Sequence, residues 1–351
     1  MTNETKTVLV TGGAGFIGSN FCRYTLQHHP NYRVVVLDAL TYAGNLSTLA
    51  DIQQNPCNEG RFRFYPGKIQ DETVVRGILE AEQVNYIVNF AAESHNDRSL
   101  LDPGSFIQTD VYGVFVLLDA ARRHNVERIV HVSTDEVCGT IATGCFTEES
   151  PLLPNTPYSA SKAGGELQAR AHHIAYGTPV LITRCGNNFG PYQYPEKLLP
   201  FFITRLIDNK KVPLYGDGSQ VRDWVYVMDH CSGIDFVLHH GGVGEVYNIG
   251  CNEEHPNKEI VQVLLETLGK PDTLVRTIPD PRGKAHDHRY SLSTDKIRSL
   301  GWRPSHSFRE ALQQTIRWYI ENENWWRPIV SRPDYQDFIS RFYGPYLGAD
   351  L

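Results

Sequence analysis

The chain has 351 residues, 41% hydrophobic and 21% charged, an ordinary globular composition that excludes disordered and fibrous classes. Its 33 basic and 40 acidic side chains leave a net charge of −7, which argues against a nucleic-acid surface or a polybasic membrane anchor. At roughly 150 residues per domain the length suggests two domains, and no apolar run approaches the ~18 residues of a bilayer crossing. The opening residues show no charged, apolar, then small leader layout, so the expected location is the cytoplasm. Seven scattered cysteines without a C-x-x-C pair read as free thiols and not as a disulfide or zinc framework. The histidine pairs His28-His29, His172-His173 and His239-His240 are adjacent, and neighbours on a helix do not share a face, so no metal site is expected.

In chain order, the first predicted element is a strand over 7–11. It runs into Gly12-Gly13-Ala14-Gly15-Phe16-Ile17-Gly18 and an amphipathic helix over 16–28. Glycines at 12, 15 and 18 permit a tight turn and let backbone N–H groups approach a pyrophosphate at a helix N-terminus. A second strand, 33–38, ends at Asp38, where a carboxylate accepts from adenosine ribose hydroxyls and repels a 2′-phosphate. Ala39-Leu40-Thr41 offer no arginine, so NAD is expected over NADP. Strands at 61–65, 85–91, 128–133 and 180–184 then alternate with helices at 73–82, 113–124 and 158–176, the pattern of a parallel sheet covered on both faces.

The strand at 128–133 delivers Ser133-Thr134-Asp135-Glu136, and ligands of such sheets sit at the C-terminal strand ends. Two adjacent carboxyl groups suit an elimination, which needs a base for a carbon acid and an acid for a departing hydroxyl. The helix at 158–176 opens with Thr156 as N-cap and Pro157 in its first turn. Tyr158 and Lys162 then emerge four apart on one face, where an ammonium would bring a phenol down from about 10. After Gly190, Pro- and Gly-punctuated segments mix with helices at 196–208, 258–268 and 307–324. A strand at 244–249 is expected to return to the main sheet. The expected organisation is a Rossmann-type doubly wound α/β domain, residues 1–190 with about 224–250. A smaller interleaved α/β substrate domain takes about 191–223 and 251–351.

Taken together, the glycine loop, Ser133-Thr134 at a strand end and Tyr158-x-x-x-Lys162 resemble the extended short-chain dehydrogenase/reductase superfamily. Ala91-Ala92-Glu93-Ser94-His95, Thr134-Asp135-Glu136-Val137, Asn187-Asn188-Phe189-Gly190-Pro191-Tyr192-Gln193, Pro195-Glu196-Lys197-Leu198 and Arg222-Asp223-Trp224 narrow the likeness. It is to the nucleotide-diphosphosugar 4,6-dehydratases, most closely those acting on dTDP-glucose. The resemblance implies that Tyr158, aided by Lys162 and Thr134, takes the O4 proton while C4 gives hydride to NAD. Glu136 would remove the C5 proton, Asp135 would protonate the leaving C6 hydroxyl, and hydride would return to C6. Asp135 must then be protonated when needed, which implies a raised pKa in a closed site.

By the same likeness Gly12, Gly15, Phe16, Ile17, Gly18, Asp38, Ala39, Leu40, Thr41, Lys68, Ile69, Phe90, Ala91, Ala92, Ser94, Thr109, Tyr158, Lys162 and Asn188 would line the cofactor. Ser94, Thr134, Asn187, Lys197, Leu198, Pro213, Tyr215, Arg222, Asn257, Arg282 and His286 would hold the nucleotide sugar. A homodimer through helices 113–124 and 158–176 is implied as well. The chain departs from the family pattern at Lys68 (usually Asp), Asn96 (Val), Asp110 (Asn), Cys138 (Tyr), Gly186 (Ser) and Phe189 (Tyr), and the run 282–286 is a residue longer. Competing readings are a 4-epimerase or decarboxylase-like relative, a dehydratase ending in a 5,6-ene, and a non-catalytic binder of NAD and nucleotide sugar. The adjacent Asp135 and Glu136 weigh against the epimerase.

Overall fold

The computed structural model describes residues 5–281, 283 and 287–350. Among these, twelve strands form three sheets: β1 (Lys6–Thr11), β2 (Tyr32–Asp38), β3 (Phe62–Pro66), β4 (Tyr86–Asn89), β5 (Arg128–Val132), β6 (Val180–Cys185), β7 (Asn187–Phe189), β8 (Val212–Tyr215), β9 (Val221–Tyr226), β10 (Val246–Ile249), β11 (Glu254–Pro256) and β12 (Val275–Ile278). The main sheet has seven strands in the order β10-β6-β5-β4-β1-β2-β3, all parallel. Strand order reverses between β1 and β4, and the crevice beyond their C-terminal ends is where a doubly wound sheet binds ligands.

Both faces of the sheet are covered, which is why β1, β2 and β6 read as near-continuous apolar runs rather than alternating ones. Val8, Val10, Val34 and Val36 point into one core with Phe21 and Ile234. Leu9, Val35 and Leu37 point into the other with Leu79, Leu117 and Ala169. The helices Phe16–His28 and Val227–His240 lie on the first face; Glu72–Glu82, Val114–Arg123 and Pro157–Tyr176 lie on the second.

The strand expected at 244–249 is observed as β10, paired with β6 in the register Val246↔Ile182. β7, β9 and β11 form a second sheet, and β8 and β12 a third. These strands were not expected. Four of them have only three or four residues, too few for readable alternation, and the six of β9 are buried along nearly their whole length and do not alternate. The helix expected over 307–324 is two, Phe308–Glu321 and Glu323–Val330. Asn322, at φ −120° and ψ 40°, breaks them apart. A further helix, Pro333–Leu347, follows and buries Tyr335, Phe338, Ile339, Tyr343 and Leu347.

Candidate active site

The loop after β1 turns within a few residues. Gly12 sits at φ +69°, and a Cβ there would meet the Ala91 nitrogen at 2.7 Å. A Cβ on Gly18 would stand 2.4 Å from the Gly12 carbonyl oxygen. No side chain caps the helix that follows Gly15, so its N-terminal dipole is open to an anion. Asp38 ends β2 with its carboxylate fixed, one oxygen accepting from the Ala14 N–H at 2.9 Å and the other from the Leu40 N–H at 2.7 Å. Burial pushes this carboxyl up against those two bonds. A loop that closes on backbone at two glycines, beside a pinned acid, fits a dinucleotide pyrophosphate and its ribose.

From here a cavity of about 550 Å³ runs across the strand ends. It is lined by the loop glycines with Phe16 and Ile17, by Asp38, Ala39 and Thr41, and by Lys68 and Ile69. Phe90, Ala91, Ala92 and Ser94 from the end of β4 line it too, as does Thr109, which accepts from the Gln70 amide at 2.8 Å. Leu40 is the exception. It takes the left-handed conformation at φ 50° and packs against the core, outside the cavity lining. Lys68 is exposed at the rim.

At the end of β5, Thr134 caps the short turn Asp135–Cys138. Its hydroxyl donates to Asp135 Oδ1 at 3.0 Å and accepts from the Glu136 N–H at 3.3 Å. Because successive residues of a tight turn diverge, the two acids have different surroundings. Asp135 is only 3% exposed, and burial, reinforced by the neighbouring Glu136, pushes its carboxyl up to about 8. Glu136 is half-buried and accepts from the Asn96 amide at 2.6 Å, with the Tyr290 hydroxyl at 3.4 Å.

The helix bearing Tyr158 starts from a capping box between Thr156 and Ser159. Tyr158 and Lys162 both line the cavity with Thr134, Asp135 and Glu136. Their expected electrostatics differ from what is observed. The phenol is pushed well above its usual value by burial and by the carboxyls of Glu136, Asp110 and Asp135, with the Thr134 hydroxyl opposing. Lys162 is buried, which lowers its pKa, and its ammonium donates to the Val132 carbonyl oxygen at 2.7 Å. Three nearby acids and lost solvent thus outweigh the one ammonium. Asp110 is one of those acids. It sits in a π-helical stretch, Ile107–Gly113, accepting from the Ser161 hydroxyl at 2.6 Å and the Glu93 N–H at 3.0 Å. Burial raises it to about 6, and Lys162 opposes the rise.

Toward the other end, Asn187, Asn188, Lys197, Leu198, Pro213, Tyr215, Arg222 and Asn257 all line the cavity. Asn188 shares its side-chain oxygen with His230 Nδ1 at 2.8 Å, and burial lowers His230 to about 3. Lys197 donates to the Ser94 carbonyl oxygen at 2.5 Å. Arg222 is buried, donating to the backbone oxygens of Asp287 at 2.7 Å and His288 at 3.0 Å. The Asn257 side-chain oxygen is buried and has no hydrogen-bond partner among the described residues. Arg282 and His286 lie outside the described residues.

Among the lining residues that the sequence reading did not assign to the site are Glu196, Asn96 and Tyr343. Glu196 is buried against Arg98 Nη2 at 3.0 Å and raised to about 7 by burial. Its place in the Pro195–Leu198 block was the signal. Asn96 was noted only as a departure. Tyr343, on the C-terminal helix, meets the Tyr215 hydroxyl at 3.0 Å, and nothing in the sequence announced it. Of the other departures, Phe189 packs edge-on to Phe308 in the core, and Cys138 lies 3.8 Å from Arg184 Nη1, outside the cavity lining. A Cβ on Gly186 would meet the Asp223 carbonyl oxygen at 2.8 Å. The histidine reading also missed a cluster. His29, Asp235 and His239 converge near the start of β2, where His239 is engaged by the Asp235 carbonyl oxygen at 2.7 Å and the Tyr32 hydroxyl at 3.0 Å.

The family model described as GDP-mannose 4,6 dehydratase matches residues 9–315, a span that holds the loop, both acids and the Tyr-Lys pair. The chain belongs to that family. Among its members' relatives, a dTDP-glucose 4,6-dehydratase of Streptomyces griseus is 48% identical over 93% of this chain and 98% of its own length. A low-salt glycan biosynthesis protein of Haloferax volcanii is 46% identical over 90% and 99%. A Streptomyces venezuelae dTDP-glucose 4,6-dehydratase, solved with NAD and TYD bound, is 51% identical, covers 92% of this chain and 99% of its own, and superposes with a TM-score of 0.88. A Thermotoga maritima UDP-glucose 4-epimerase reaches 27% identity and a TM-score of 0.82, so the fold by itself does not separate the two reactions.

Proposed function

We propose that this chain is an NAD-dependent 4,6-dehydratase that converts dTDP-glucose to the 4-keto-6-deoxy sugar with loss of one water. One observation carries the reading. Two adjacent acids share a cavity with the Tyr-Lys pair and the glycine loop, yet their surroundings set them to opposite tasks. Asp135, raised to about 8, arrives as a proton donor; Glu136 presents an acceptor oxygen to the Asn96 amide. A 4-epimerase has no use for such a pair.

The glycine loop and Asp38 would hold NAD, which would supply an acceptor and later a donor of hydride and a positive charge beside the sugar. Burial and three acids hold the Tyr158 phenol protonated here. It would take the O4 proton once ionised, a state favoured by Lys162 on its helix and by the positive charge a bound nicotinamide would bring, with Thr134 directing the hydroxyl. The ketone so formed acidifies C5. Glu136 takes the C5 proton, the C6–O bond breaks, and the Asp135 proton leaves with the hydroxyl as water. Glu136, its carboxyl proton exchanged with solvent, then protonates C5, and the Tyr158 proton is released as Asp135 is recharged, so no proton or electron is left over. The same reading assigns Asn187, Lys197, Leu198, Pro213, Tyr215, Arg222, Asn257, Arg282 and His286 to the nucleoside diphosphate, where cations and a flat aromatic face suit phosphates and a pyrimidine.

We also propose that residues 1–190 with about 224–250 hold the cofactor and the remaining segments hold the nucleotide sugar. A second copy would cover Ile107, Phe115, Leu167, Ile174 and Tyr176, apolar side chains exposed on the two helical segments. The free cysteines suit a reducing compartment such as the cytoplasm.

Incubation with dTDP-, UDP-, GDP- and CDP-glucose in deuterated water tests the reaction. Loss of one water and uptake of deuterium at C5, fastest with dTDP-glucose, is the expected result. Glu136→Gln should slow C5 exchange by roughly 100-fold or more while the 4-ketone still forms. Tyr158→Phe should stop the reaction before the ketone. A protein that removes water from none of these sugars overturns the reading.

A further inference from the structure

Asn96 opens the short turn Asn96–Ser99 and its carboxamide bridges two elements of the site. The side-chain oxygen accepts from the Thr156 hydroxyl at 2.8 Å, and the amide nitrogen donates to Glu136 Oε2 at 2.6 Å. The neighbours fix which way the amide faces. Glu136 Oε2 is an acceptor and so takes the NH2 group, which leaves the amide oxygen for the Thr156 hydroxyl. That hydroxyl also has Ser159 Oγ at 2.9 Å, but the Ser159 oxygen is the longer contact and lies in reach of the Thr156 carbonyl oxygen at 3.1 Å for its own proton. The other donor near Glu136 Oε2 is the Tyr290 hydroxyl at 3.4 Å, whose proton is drawn to Asp287 Oδ2 at 2.7 Å. Asn96 is therefore the short contact at this oxygen among the described residues. Thr156 is the N-cap of the helix that carries Tyr158. A continuous relay thus runs from that helix end, through one amide, to Glu136.

We propose that Asn96 is a positioning residue for the C5 proton transfer: it ties the Glu136 carboxyl to the cap of the Tyr158 helix, so that the acceptors for the O4 and C5 protons keep a fixed separation. The proposal rests on the dehydratase reading above. Its particular content is that the second proton transfer depends on Asn96 and the first does not. A valine here fills similar space and offers no donor. An aspartate keeps the shape and the bond from Thr156 but turns a donor into a like charge against Glu136.

The test is a quenched single turnover of the wild type, Asn96→Val and Asn96→Asp on dTDP-glucose in deuterated buffer, read by mass spectrometry. That readout separates substrate, the ketone two hydrogens lighter, and the dehydrated product. In Asn96→Val, KM and ketone formation should stay near wild type while C5 exchange and water loss slow about tenfold, the fold-change of one hydrogen bond to a charged group. The ketone then accumulates. Asn96→Asp, the nearly isosteric control for folding, should slow C5 exchange at least as much. Wild-type C5 exchange in both variants overturns the assignment, as does an equal slowing of ketone formation and exchange, which is the mark of a merely structural role. A wild-type protein that dehydrates no nucleotide hexose overturns the dehydratase reading, and with it this one; a wild type that turns over normally leaves the two failures distinct.

Discussion

Asp135 and Glu136 are neighbours in sequence, but not in environment. The turn that Thr134 caps sends one carboxyl into the protein and leaves the other at the cavity wall. The proposed elimination needs Asp135 to carry a proton, and its value of about 8 leaves it protonated at neutral pH. Water loss should therefore decline as pH rises through about 8, while ketone formation does not share that limb. Asp135→Asn should reduce water loss by roughly 100-fold to 10,000-fold, the range of a general acid's contribution, with the 4-ketone still formed. Product analysis at several pH values checks both. The surplus of acids near Tyr158 was not legible in the sequence. Asp110 and Tyr158 approach because the π-helical stretch Ile107–Gly113 packs against the helix Pro157–Tyr176.

At the scale of elements, local chemistry was readable wherever one segment performs it. The glycine spacing, Asp38 at a strand end and the i, i+4 relation of Tyr158 to Lys162 are set within a turn or two of chain. The tight approach of Gly18 to the Gly12 carbonyl oxygen, 2.4 Å for an added Cβ, makes Gly18→Ala a direct test. It should abolish co-purifying NAD while the fold, followed by circular dichroism, persists. Thr156→Ala should cost about 1 kcal/mol through the lost cap, measured by denaturant unfolding, and should also release the Asn96 amide. What the elements do to one another was not readable. Glu136 meets Asn96 across 40 residues, Arg98 meets Glu196 across 98, and Tyr215 meets Tyr343 across 128.

For the molecule as a whole, several buried acids act in one direction. Asp135, Glu196 and Asp110 are raised by burial to about 8, about 7 and about 6. A carboxyl whose folded pKa lies above its unfolded value binds more protons when folded, so its contribution is complete below about pH 4 and is lost as pH rises through the folded value. From these groups alone the melting temperature should fall from about pH 4 to about pH 8, most steeply between about pH 4 and about pH 6 where all three contribute, and level off above. Asp135→Asn should flatten the upper part of that fall, and a calorimetric series across pH checks it. Flat melting over the range in the wild type would contradict the burial assigned to these acids.

By itself the sequence determined the parallel α/β architecture, the dinucleotide loop and the residues proposed to react. Each of these is written in short-range periodicity, in glycine spacing or in residues contiguous along one strand end or one helix turn. Only the tertiary structure decided which acid is buried and raised, which oxygen the Lys162 ammonium meets, that Leu40 turns away from the cavity, and that Asn96 and Tyr343 reach the site. Protonation and orientation depend on burial and on partners brought together from distant segments, and neither quantity exists until the chain has folded.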